Sequence, residues 1–209
     1  MAGSVGVAVP RYSCQEKQEA RNDTIKSFRS SLIGTPLQYW TLAGPCGKAG
    51  KVRAGSELGW ALREGLVEPH QFHGVDCNHA VTARNRSLPG NWYCGDFFET
   101  LRDYEKLQPG FINYDSMLMP AKGAEYLARV LYLVRDFRDL VVVGNFVIRT
   151  RYYCAERSDV FNHLQHEPLY QAAWRTGHWT MPTADRAYEY HGSGGGGKTV
   201  MLSIVLRSE

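Results

Sequence analysis

Nowhere does this sequence approach the ~18 consecutive apolar residues of a membrane span, so no membrane partner is expected. The opening residues MAGSVGVAVPRYS carry no basic region ahead of their few apolar ones, so a signal peptide is not expected either. No CxxC pair occurs, and the five cysteines are an odd number without regular spacing. Both features argue against a disulfide framework and for a reducing compartment. The expected location is the cytoplasm, of a host cell if the gene is viral. A large excess of either charge is also missing. A formal net charge of +3 permits a polyanionic partner without requiring one. What remains is ordinary globular material. The chain has 209 residues, 44% hydrophobic and 22% charged, enough for a substantial core. It divides into an N-terminal helical segment, 1–36, and an α/β domain, 37–209.

Within the first segment, Ser13 followed by Glu16 has the capping-box form, and a polar helix is expected over 14–30. Its Lys17, Arg21, Lys26 and Arg29 read first as a solvated face and second as a nucleic-acid contact. After Gly34-Thr35-Pro36 the run LQYWTLA reads as a strand, and Gly44-Pro45-Cys46-Gly47-Lys48-Ala49-Gly50 follows as a glycine-rich turn. Ser56 can cap a helix over 57–66.

The stretch 72–101 is the sharpest part of the sequence. It reads as a strand ending on Asp76, a helix over 79–86, a turn at Pro89-Gly90 and a strand over 92–94. Gly95-Asp96 stands at the tip of that second strand. Ligands of open α/β sheets sit beyond the carboxyl ends of the strands, so the two acids would face one crevice. Strands are further expected over 110–114, 140–148 and 186–191, with VMLSIVL as the last, and helices over 122–137 and 159–174.

This order of elements, with VDCNHAV, GDFFETL and the glycine turn at their places, resembles the class I S-adenosylmethionine-dependent methyltransferases. The resemblance implies a Rossmann-like, seven-stranded, mostly parallel sheet with an antiparallel last strand and helices on both faces. It implies S-adenosylmethionine as cofactor. Gly44, Cys46 and Gly47 would hold its amino-acid end, Asp76 its ribose, and Asp96 with Phe97 its adenine. Asn113, Tyr114 and Asp115, after the fourth strand, would face the methyl acceptor. The sequence departs from the family in the first turn: Thr41 or Leu42 stands where an acid is usual, and the glycines fall three apart.

Arg149-Thr150-Arg151-Tyr152-Tyr153 puts cations and aromatics at the end of the 140–148 strand. Arg149, Arg151 and Tyr152 are therefore candidate contacts to a nucleic-acid substrate. Two other function classes stay open: a silent methyltransferase-like scaffold, and a nicotinamide-dependent oxidoreductase in which Asp76 would also bind ribose.

Two patterns mislead. Gly192 to Thr199, GSGGGGKT, satisfies the phosphate-loop spacing. A β-branched run follows it rather than the helix such a loop opens, so it reads as a hairpin turn. His70, His73, Cys77 and His79 are dense, yet no second ligand pair accompanies them, and no metal is expected.

Overall fold

The computed structural model describes residues 37–103, 110–179, 187–191 and 199–208, together with Lys26. Lys26 is helical and exposed; the rest of the helix expected over 14–30 lies outside the described residues, as does the turn over 192–198.

The chain enters at β1 (Gln38–Leu42), then forms a short hairpin of β2 (Gly47–Lys48) and β3 (Lys51–Val52) before α1 (Glu57–Arg63). Next come β4 (Phe72–Asp76), α2 (His79–Asn85), β5 (Asn91–Cys94) and α3 (Phe97–Asp103). They are followed by β6 (Gly110–Leu118), α4 (Pro120–Leu133), β7 (Leu140–Arg149), α5 (Arg157–His166) and α6 (Pro168–Trp174). A terminal pair, β8 (Ala187–His191) and β9 (Val200–Arg207), completes the order.

The main sheet runs β5-β4-β1-β6-β7-β9-β8. Six of these strands run parallel to one another. β9 runs antiparallel to both its neighbours and is inserted between β7 and β8. This is the Rossmann-like arrangement with an antiparallel last strand that the methyltransferase resemblance implies.

Local chemistry accounts for the elements. Ser56 Oγ accepts from the Gly59 N–H at 3.1 Å and starts α1 as expected. Asn78 does the same for α2, accepting from the Ala80 N–H at 3.0 Å. Three expectations need correction. The glycine turn is folded as the β2–β3 hairpin, with Ala49 (φ 50°) and Gly50 (φ 75°) as its two left-handed turn residues. The helix expected over 159–174 is two helices, because Pro168 has no N–H to donate and its ring obstructs the preceding turn. The strand expected over 110–114 continues to Leu118, with a register break after Tyr114.

Two apolar layers hold the sheet. On one face Trp40, Ile112, Val142, Leu202 and Leu206 pack with Phe98, Leu127, Leu131 and Leu164 of α3, α4 and α5. On the other, Tyr39, Phe72, Phe111, Val143 and Val205 pack with Leu58, Trp60 and Ala61 of α1. Each large side chain buried this way contributes roughly 1.5–3 kcal/mol. Among the described residues no helix is long and apolar enough to cross a membrane.

Candidate functional site

A cavity of about 410 Å³ opens at the carboxyl ends of β1, β4 and β6. The chain leaves β1 toward β4 on one side, while β6 lies on the other. This is the topological switch point where α/β sheets bind ligands. Leu42, Ala43, Pro45, Cys46 and Val75 form apolar wall, with Gly44 and Gly55 beside them. Arg53, Glu57, Asp76 and Asp115 bring charge. Three carboxylates against one guanidinium make the site favour a ligand with positive character.

Asp76 ends β4 at the cavity, as read from the sequence. Its Oδ1 accepts from the Asn78 N–H at 2.7 Å. Burial pushes its carboxyl above the usual range, and that backbone donor pulls the other way. Gly44 and Cys46 also line the cavity, braced from α2. Asn85, fully buried, accepts from the Cys46 N–H at 3.0 Å and donates to Gly44 O at 3.1 Å. Burial pushes the Cys46 thiol up to about 11, so it contributes wall rather than nucleophile.

Gly47 is elsewhere. A Cβ there would lie 2.2 Å from Lys51 O, so this glycine serves the close approach of β2 to β3. The second cavity glycine is Gly55. Asp96 lies off the cavity wall; its Oδ1 caps α3, accepting from the Phe98 and Glu99 N–H groups at 2.9 and 3.1 Å. Phe97 points into the core, 5.4 Å from the Tyr114 ring centroid. Tyr114 lies on that same apolar face, and burial raises its hydroxyl pKa.

Of the three residues expected to face an acceptor, Asp115 alone lines the cavity. It sits where β6 loses register with β7, an irregularity that re-aims side chains. Asn113 is instead fully buried beneath the cavity. Its Nδ2 donates to Glu57 Oε1 at 2.5 Å and to Thr41 Oγ1 at 3.2 Å. The Tyr39 hydroxyl donates to the same Glu57 oxygen.

Glu57, Arg53 and Asn85 were missed by sequence reasoning. The first two arrive through the β2–β3 hairpin, which folds the chain back across the tip of β1. The available signal was indirect: Thr41, Asn113, Asn145 and Ser203 interrupt otherwise apolar strands.

At the end of β7, Arg149 and Arg151 are exposed, and Tyr152 is 87% exposed with the Arg151 guanidinium 5.3 Å from its ring centroid. Among the described residues the histidines form no ligand set. His73 Nε2 donates to Gln38 Oε1 at 2.8 Å and its Nδ1 accepts from the Tyr93 hydroxyl at 3.2 Å. No group of three metal-ligating side chains occurs among the described residues.

No protein-family model matches the sequence, and no curated protein matches it. Solved structures resemble its backbone. A magnesium protoporphyrin IX methyltransferase from Synechocystis PCC 6803, with bound SAH, shares 10% identity over 92% of this chain and 84% of that one, at a TM-score of 0.48. A TehB-like SAM-dependent methyltransferase from Corynebacterium glutamicum shares 13% identity over 92% and 88%, at 0.45. A proclavaminate amidino hydrolase from Streptomyces clavuligerus shares 20% identity over 73% and 61%, at 0.39. At such identities the likeness concerns backbone shape.

Proposed function

We propose that the protein transfers a methyl group from S-adenosylmethionine, with a nucleic acid as the first candidate acceptor. The observation that carries this reading is the charge arrangement of the switch-point cavity: Glu57, Asp76 and Asp115 with Arg53 on a largely apolar wall. The cofactor presents an ammonium, a carboxylate, a sulfonium and a ribose diol. Glu57 suits the ammonium, Arg53 the carboxylate, and Asp76 accepts from the diol. Asp115 faces the side from which an acceptor approaches, where it can orient or deprotonate a nucleophile. The cofactor supplies the electrophile; these residues bind it, align it and keep water from its apolar flank.

A nicotinamide dinucleotide suits the same cavity poorly. Its pyrophosphate would lie at the first turn, beside the Glu57 carboxylate. A silent scaffold is the second reading, and one observation favours it. Part of the glycine turn is committed to a hairpin, so Gly47 is engaged with β3 rather than with a ligand.

For the acceptor, the exposed Arg149, Arg151 and Tyr152 supply two cations and a stacking surface at the same end of the sheet. The test is transfer of a labelled methyl group to RNA or DNA, with Asp76→Ala and Arg151→Ala beside the wild type. The reading expects label in the nucleic acid, loss with Asp76→Ala, and a weaker salt dependence of binding with Arg151→Ala. Label on a small molecule or protein but not on nucleic acid would leave the methyl transfer and remove the acceptor.

A further inference from the structure

The hairpin that carries Arg53 to the cavity is basic. Residues 44–56 contain Lys48, Lys51 and Arg53 and no acid. Residues 77–90, the α2 segment beside them, contain Arg84 and Arg86 and no acid. These two stretches hold five cations, against a surplus of +3 for the whole chain. They meet in space: the Gly50 N–H donates to Ser87 Oγ at 3.2 Å, and the Cys46 N–H to Asn85 Oδ1 at 3.0 Å. The acids next in sequence, Glu57 and Asp76, belong to the cavity wall. All five cations are exposed, and among the described residues no carboxylate forms an ion pair with any of them.

Stability does not account for the lysines. Lys48 and Lys51 are register partners, directly across the hairpin, and like charges so placed repel. Gly47 and Val52, the other pair, face inward: a Cβ on Gly47 would lie 3.0 Å from Leu88, and Val52 packs on the apolar layer. The two lysines therefore share the outward face. Arg84 has a local reason to be basic, since it stands in the last turn of α2, where a cation meets the helix dipole. An anion from outside the chain would relieve the lysine pair.

Position gives the class of that anion. Lys51 stands two residues, about 7 Å of extended chain, from Arg53 at the cavity. The β7 tip, with Arg149 and Arg151, stands on the other flank. The order β4-β1-β6-β7 puts three strand spacings, about 14 Å, between the two flanks. None of the large exposed apolar side chains of the described residues lies in 44–56 or 77–90, so the surface lacks the anchors of a membrane-bound face. Cations on both sides of one cavity suit a chain of phosphates crossing it.

We infer that Lys48 and Lys51 of the β2–β3 hairpin, with Arg84 and Arg86 at the end of α2, form a phosphate-binding surface that holds the acceptor strand on the β4 flank of the cavity. The inference rests on the nucleic-acid acceptor proposed above and gives the strand its path, from this surface across the cavity to the β7 tip. Arg53 remains with the cofactor. Phosphate contacts position a strand without reading its sequence, so the surface serves strands of any sequence.

The test titrates a labelled single-stranded oligonucleotide of mixed sequence into the full chain over a range of salt concentrations, by fluorescence anisotropy. Lys48→Ala/Lys51→Ala should lower the slope of log affinity against log salt by about 1.4, the share of two phosphates. Arg84→Ala/Arg86→Ala should do the same from α2, and it serves if the hairpin variant does not fold. Arg138→Ala/Arg175→Ala removes the same charge outside both flanks and should leave the slope unchanged. A wild-type slope in the hairpin and α2 variants, or an equal fall in the control, overturns the surface alone. No binding to the wild type overturns the nucleic-acid acceptor and the surface together, as does capture by phosphatidylserine vesicles in place of the oligonucleotide. The expected slopes without any methylation of the strand would support the surface and contradict the methyl transfer.

Discussion

The two faces of the sheet are built on different terms. Under α3, α4 and α5 the strands present Ile112, Val142, Phe146, Leu202, Ile204 and Leu206, an apolar surface with ordinary packing. The opposite face, under α1, mixes Tyr39, Phe111, Val143 and Val205 with buried Thr41, Asn113, Asn145 and Ser203. The second solution tolerates error poorly, because a half-satisfied polar network is worse than hydrocarbon. Its polar row leads to a carboxylate at the ligand cavity. The lesson is that one face holds the fold and the other holds the site.

Removing a link from the polar face should therefore cost more than removing a methyl from the apolar one. Asn113→Leu takes one donor from the Glu57 carboxylate and the acceptor from the Asn145 Nδ2 group, and is expected to lower unfolding free energy by about 3 kcal/mol. Ile112→Val, the next residue and on the opposite face, should cost about 1 kcal/mol. Urea denaturation of the pair measures the difference, and equal costs would dissolve the contrast.

A smaller effect sharpens it from the apolar side, where a histidine sits among the hydrocarbon. His73 stacks on Trp40 with ring centroids 4.1 Å apart, and burial, with a lesser effect of His70, brings its pKa down to about 4. The unfolded chain, near 6.5, binds the proton more readily than the folded one, so stability rises with pH across that window. On acidification from pH 6.5 to 4 the loss should be about 1–2 kcal/mol after allowance for partial exposure. His73→Phe keeps a ring on Trp40 and should remove this part of the slope in thermal melts at several pH values. A variant as acid-sensitive as the wild type would place the proton elsewhere.

The smallest effect reads the cavity wall. Cys46 is buried with its thiol pushed up to about 11, whereas Cys77, Cys94 and Cys154 are exposed. At pH 8 a thiol alkylating reagent should modify those three first and leave Cys46 largely intact, by peptide mass spectrometry. Early labelling of Cys46 would mean a more open first loop than this structure has.

The fold was largely legible because it is written in local signals: Ser56 before a helical run, Asp76 after Phe72–Val75, and a final β-branched segment behind a glycine stretch. Those signals are periodicity and turn chemistry, which act within a few residues. The site was legible only where a residue ends or follows a strand read from the sequence. Asp76, Gly44, Cys46 and Asp115 were found that way. Phe97 and Asp96 follow a strand tip too, but one turns into the core and the other caps α3. Glu57 was hidden because its place depends on a fourteen-residue excursion, 43–56, returning to the strand it left. Asn113 was noticed for the wrong reason. Its position in the strand was right, and it shares a face with Asp115 two residues on, but it lies deeper along β6, buried beneath the cavity rather than on its wall.

The most direct test of the central claim is calorimetric titration of S-adenosylmethionine into the wild type and into Asp76→Ala, whose partly exposed carboxyl should affect stability by less than about 1 kcal/mol. Micromolar binding to the wild type, weakened at least tenfold in the variant, is the predicted result. A wild type that binds no cofactor, or a variant that binds it as well as the wild type does, would contradict the account.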